Sequence, residues 1–122
     1  MRQRTPRLLV AVAGSAVAAL ALAPLAPART SSAAPTIQVK AEEMYFELSS
    51  KSVTKPEAVT FVVKNAGSLH HDFRIDGRQT PLLAPGKTAR LTVRFAKPGK
   101  YGYLCTVPGH AAAGMKGTFT VR

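Results

Sequence analysis

An all-β sandwich is the fold this sequence predicts, and three observations predict it. Apolar residues alternate with polar ones from Thr36 onward, Gly/Pro turn signals separate the alternating runs, and no sustained helical stripe interrupts them. Ile37 and Val39 alternate with Thr36, Gln38 and Lys40. Val59, Phe61 and Val63 alternate with Thr60 and Lys64, although Val62 breaks the polar side. Ala89, Leu91, Val93 and Phe95 alternate with Thr88, Arg90, Thr92 and Arg94, the cleanest case in the chain. Tyr101, Tyr103 and Cys105 share one face of a further run, and Phe119 and Val121 end the chain against Thr118, Thr120 and Arg122. Between the runs lie Asn65-Ala-Gly67, Asp76-Gly77, Pro85-Gly86, Pro98-Gly99 and Pro108-Gly109. Short strands with this punctuation pack as an antiparallel sandwich or barrel.

The first 28 residues read differently. Arg2, Arg4 and Arg7 make a basic start without an acid, and an apolar run from Leu8 to Ala23 is broken only by Gly14 and Ser15. Ala26-Pro27-Ala28 then supplies small residues at a cleavage site, the third part of a secretory signal peptide. The alternative, an uncleaved anchor, needs roughly 20 apolar residues, and this Ala-rich run is shorter. Residues 29–35 (RTSSAAP) read as a leader without a core-forming pattern, and residues 36–122 as the folded domain. Removal of residues 1–28 takes away three arginines and no acid, so the formal charge falls from +11 to +8. Export, to a periplasm or beyond the cell, is the expected location, which sets nucleic-acid binding aside as the use of that charge.

A domain this small has a modest core. Small exported domains often add disulfides, but Cys105 is the single cysteine. A bound metal would serve as another staple, and the chain offers ligands for one. Cys105-Thr-Val-Pro-Gly-His110-Ala-Ala-Ala-Gly-Met115 carries a thiol, an imidazole and a thioether in one loop between two strands. Soft sulfur plus imidazole suits copper, and a His₂Cys plane with a weak axial Met is the geometry of blue-copper electron-transfer sites. Zinc is the rival metal, but its structural sites use four strong Cys or His ligands, and a thioether is a poor substitute. The second histidine must be His70 or His71. Alternation puts His71 with Phe73 and Ile75 on the apolar face, and His70 with Asp72 and Arg74 on the face toward water, so His71 is the better candidate.

These residues resemble the cupredoxin family, specifically its plastocyanin/azurin-like type 1 (blue) copper proteins, over roughly residues 37–121. His71-Asp72-Phe73 matches the family's upstream ligand segment, Tyr101-Gly-Tyr103-Leu-Cys105 its ligand strand, and Cys105-Thr-Val-Pro-Gly-His110 is azurin-like. The four residues between His110 and Met115 resemble the auracyanin loop. The resemblance implies a Greek-key antiparallel β-sandwich, one copper ion cycling between Cu(I) and Cu(II), and His71, Cys105, His110 and Met115 as its ligands. It also implies single-electron transfer through the ring of His110, with no catalysis of bond making. Two positions depart from the pattern. Asp72 stands where many plastocyanins have Asn, and Leu104 stands where plant plastocyanins carry a surface Tyr beside acidic patches.

Each residue also has a plainer reading. Cys105 alone could be a buried hydrophobe or form an intermolecular disulfide; Met115 could be core; the lysines and arginines could be a solvated surface. His110 and Met115 at these spacings favour the metal. Three function classes follow: an electron carrier, a copper-binding or storage protein without a redox partner, and a metal-free interaction module. The expected partners of the first are redox proteins, acidic ones by charge complementarity with this basic chain; attraction to an anionic cell envelope is the other use of the charge. A monomer is expected.

Overall fold

The computed structural model describes residues 8–28 and 33–122. Arg2, Arg4 and Arg7 of the expected signal segment and residues 29–32 of the expected leader lie outside the described residues. Residues 8–28 contain no helix or strand, and among the described residues no helix is long and apolar enough to cross a membrane.

The remainder is a sandwich of two sheets. Its strands are β1 (Thr36–Glu42), β2 (Tyr45–Leu48), β3 (Ser52–Val53), β4 (Val59–Asn65), β5 (Arg74–Ile75), β6 (Arg78–Gln79), β7 (Thr88–Val93), β8 (Gly99–Leu104) and β9 (Lys116–Val121). One sheet runs β2-β1-β4-β7 and the other β3-β9-β8-β5-β6. Most pairs are antiparallel, as the alternation predicts, but β1–β4 and β3–β9 are parallel. The chain explains the β1–β4 exception. After β2 it crosses to the second sheet for β3 and then returns to lay β4 beside β1, and a long crossover of this kind is what parallel neighbours require.

Side-chain parity builds the core. Ile37, Val39 and Ala41 of β1 and Val59, Phe61 and Val63 of β4 face Ile75, Tyr103, Phe119 and Val121 of the other sheet, all buried. Phe73 sits centrally, with ring centroids 5.3 Å from both Phe46 and Phe61 and 5.5 Å from Tyr103. Such edge and tilted contacts add about 0.5–1.5 kcal/mol per pair beyond the area they bury. Phe73 lies two residues from His71 and Tyr103 two from Cys105, so this buried aromatic cluster underlies both.

Local sequence explains the turns. Asp76 (φ 49°) and Gly77 (φ 71°) both take left-handed backbone, the two-residue hairpin geometry that Asp-Gly favours, and they join β5 to β6. The stretch expected as one strand from His71 to Ile75 is shorter: only Arg74 and Ile75 pair regularly, and His71 forms an isolated bridge with Leu83.

Candidate metal centre

His71 reaches its place through backbone pairing. Its N–H donates to Leu83 O at 3.1 Å, and its carbonyl accepts from Leu83 N at 2.8 Å. Asn65, fully buried at the end of β4, fixes the approach to it. The Asn65 amide donates to Leu69 O at 2.7 Å and Leu83 O at 2.8 Å, while its Oδ1 accepts from Gly67 N at 3.0 Å. Cys105 follows β8 by one residue, and its N–H donates to Met115 O at 3.1 Å. The loop between them closes on itself: Met115 N donates to His110 O at 3.0 Å, and Ala113 N to Gly109 O at 3.0 Å. A compact turn anchored at both ends therefore holds His110 and Met115.

Three of these side chains converge. His71 Nδ1 lies 3.2 Å from His110 Nδ1, and Cys105 Sγ lies 3.6 Å from His110 Nδ1 and 4.0 Å from His71 Nδ1. All three residues are buried, and no other group of three or more His, Cys, Asp or Glu side chains gathers in this way among the described residues. The triangle fits a metal. Ligand bonds of about 2.0–2.3 Å around a trigonal centre place the donors roughly 3.5–3.8 Å apart. Two imidazoles and a thiolate form a donor set suited to copper. Met115 is fully buried and tied through its backbone to both Cys105 and His110. His70 is exposed and stands apart from the cluster, as parity predicts.

Parity fails for Asp72. It was expected to face water, but only 3% of it is exposed. Its Oδ1 accepts from Thr106 N at 2.6 Å, and its Oδ2 accepts from the Thr106 hydroxyl and from Gln79 Nε2, the latter at 3.0 Å. The regular strand begins only at Arg74, so alternation does not govern residue 72, and these donors draw the carboxylate inward. An acceptor-only side chain thus ties the His71 segment to the Cys105 segment, because the facing groups are donors.

Sequence reasoning misses Glu43. It lies in the turn between β1 and β2, where Met44 adopts φ 67°. Glu43 Oε1 accepts from Ser68 N at 2.6 Å and Leu69 N at 2.8 Å, and it lies 3.4 Å from His71 Nε2. The Leu69 N–H holds the Glu43 carboxyl below the ordinary carboxylate range; burial opposes it, and the Ser68 N–H and the His71 ring add to the lowering. No local pattern connects positions so far apart in the chain. Burial pushes the Cys105 thiol up, although backbone N–H groups of Asp72 and Val107 oppose the shift.

Comparison with known proteins agrees with this geometry. The Cupredoxin-like domain family matches residues 13–121. The copper-resistant cuproprotein CopI of Pseudomonas aeruginosa is 28% identical, with 79% of this chain and 81% of that protein covered. Auracyanin-B of Chloroflexus aurantiacus is 52% identical over a shorter stretch of 42 residues, which is 34% of this chain and 18% of that protein. The crystal structure of reduced auracyanin from Roseiflexus castenholzii superposes with a TM-score of 0.62 at 26% identity, covering 75% of this chain and 99% of that one. The chain belongs to the cupredoxin family and is a type 1 copper protein with one copper ion as its cofactor.

Proposed function

We propose that this protein shuttles single electrons between redox partners, with His71, Cys105, His110 and Met115 as the ligands of its copper. The observation that carries the proposal is the buried triangle of His71 Nδ1, His110 Nδ1 and Cys105 Sγ. Copper supplies a one-electron couple; the chain supplies rigidity. His71 is clamped by its bridge to Leu83, Cys105 by Met115 O, and the two segments by Asp72, so the donors need not move when charge changes. Backbone N–H groups of Asp72 and Val107 partly offset the burial of the Cys105 sulfur, and hydrogen bonding around a ligand of this kind tunes a metal's couple.

Electrons leave through His110 in this scheme. Only 8% of that residue is exposed, and exposed Pro108, Gly109, Ala112 and Ala113 surround it with small uncharged groups. Such a rim permits close approach in a weak, small interface. Exposed Lys97, Lys100 and Lys116 belong to the basic surface that would steer an acidic partner toward it. Export with removal of residues 1–28 completes the proposal, and no bond-making catalysis belongs to it.

Paired histidine substitutions test the ligand set. His71→Ala is expected to abolish or distort the copper centre, whereas His70→Ala leaves its spectrum unchanged; the reverse result would refute the assignment. The relatives named for copper resistance favour a second reading, copper handling without a dedicated partner. Bimolecular electron transfer separates the two. A carrier for acidic partners exchanges electrons rapidly with an acidic redox protein, at a rate falling steeply with salt as the Debye length shrinks from about 30 Å at 0.01 M to about 8 Å at 0.15 M. Slow exchange at every ionic strength would favour copper handling.

A further inference from the structure

Glu43 is bound to the centre from outside, on the side of His71 that faces away from the donor triangle. Its Oε1 takes two backbone donors, Ser68 N at 2.6 Å and Leu69 N at 2.8 Å, and leaves a third approach to His71 Nε2 at 3.4 Å. The seat is built on both sides. Asn65 holds the Leu69 carbonyl, which fixes the segment that offers the two N–H groups. Gly67 provides the space, because a Cβ there would lie 2.3 Å from Glu43 Oε1. The turn that carries Glu43 also touches the ligand loop: a Cβ on Gly114, beside Met115, would meet Met44 O at 3.4 Å.

An ionised carboxylate can only accept hydrogen bonds. The proton of a neutral His71 ring therefore belongs on Nε2, and Nδ1, the atom in the triangle, presents its lone pair inward. We propose that Glu43 is a positioning residue for the copper centre: it fixes the tautomer and orientation of His71 and, through its charge, favours the oxidised ion over the reduced one. This inference rests on His71 being a copper ligand. A carboxylate behind an imidazole makes the ligand more basic, and outer partners of this kind typically change metal affinity by 10–100-fold. Glu43 is partly solvated, its side chain 38% exposed, so the lower end of that range applies.

The test uses Glu43→Gln and Gly67→Ala in the full chain, with copper(II) and copper(I) affinities and the reduction potential measured beside the wild type. Gln is isosteric, and its carbonyl oxygen can accept all three donors, so Glu43→Gln removes charge while keeping the hydrogen bonds. The ratio of copper(II) to copper(I) affinity is expected to fall about tenfold, which for a one-electron couple is a rise of about 59 mV. Gly67→Ala leaves Glu43 in the sequence but evicts its carboxylate, and is expected to raise the potential in the same direction. A blue centre with an unmoved potential in Glu43→Gln would overturn the inference, since a purely structural Glu43 predicts that result. An unmoved potential in Gly67→Ala would overturn the seat described for it. A wild type that forms no blue centre would instead refute the ligand assignment on which both depend.

Discussion

Asp72→Ala should cost this domain about 2–3 kcal/mol, and Asp72→Asn much less. The carboxylate accepts from the Thr106 N–H, the Thr106 hydroxyl and Gln79 Nε2. Gln79 is exposed and the Thr106 hydroxyl can rotate, so both can find water once the carboxylate is gone. The Thr106 N–H is different, because it is fixed in the backbone and a methyl group at position 72, a site only 3% exposed, offers it no acceptor. A hydrogen bond to a charged acceptor contributes about 1.5–3 kcal/mol, and an unpaired buried donor costs a similar amount. For a domain of this size each kcal/mol lowers Tm by roughly 4–8 °C, so Asp72→Ala is expected to melt about 10–20 °C below the wild type. Asparagine retains a carbonyl for Thr106 N–H, its amide can donate to the hydroxyl, and Gln79 can flip to present oxygen. Its cost should stay under about 1 kcal/mol. Urea denaturation of the apo-protein gives the comparison, with an unchanged slope showing that stability alone has moved. Equal losses for the two variants, or no loss for alanine, would refute the role assigned to the Thr106 contact.

Three further outcomes are expected. Burial raises the Cys105 thiol pKa, so above the ordinary thiol value of about 8.5 the unfolded chain releases a proton that the folded chain keeps. Apo-protein stability is therefore present below that pH and falls as pH rises toward the folded value; Cys105→Ser should lose this component of the slope in denaturation series, and an unchanged slope would count against it. Met115→Leu should keep copper and colour while raising the reduction potential, because a neutral sulfur donor stabilises the oxidised ion more; loss of all copper binding on titration would show a structural methionine instead. Copper at 1,000 times Kd should stabilise the fold by about 4.1 kcal/mol, read as a higher calorimetric midpoint, and identical midpoints would exclude a folded-state site.

Much of this architecture is legible in the sequence where the chain is regular. The alternation through β4 and β7 locates two adjacent strands of one sheet, and the turn signalled by Asp76-Gly77 is present, with both residues at positive φ. Convergence of His71, Cys105 and His110 follows from a loop between strands and one apolar face. Legibility ends where side chains, not periodicity, decide. Asp72 lies before β5 begins, so its burial depends on Gln79, brought back by the β5–β6 hairpin, and on Thr106, remote in the chain. Glu43 and His71 meet only because β1 lies parallel to β4, a crossover that alternation cannot reveal. Asn65 shows in the sequence as a turn residue, yet its amide organises two carbonyls around the approach to His71.

Copper(II) titrated into the purified apo-protein, followed by visible and paramagnetic resonance spectroscopy, tests the centre most directly. One equivalent should produce an intense thiolate-to-copper charge-transfer band with narrow hyperfine splitting, and Cys105→Ser should lose the band while remaining folded. A colourless wild-type complex, or an equally intense band in Cys105→Ser, would contradict a copper centre built on Cys105, His71 and His110.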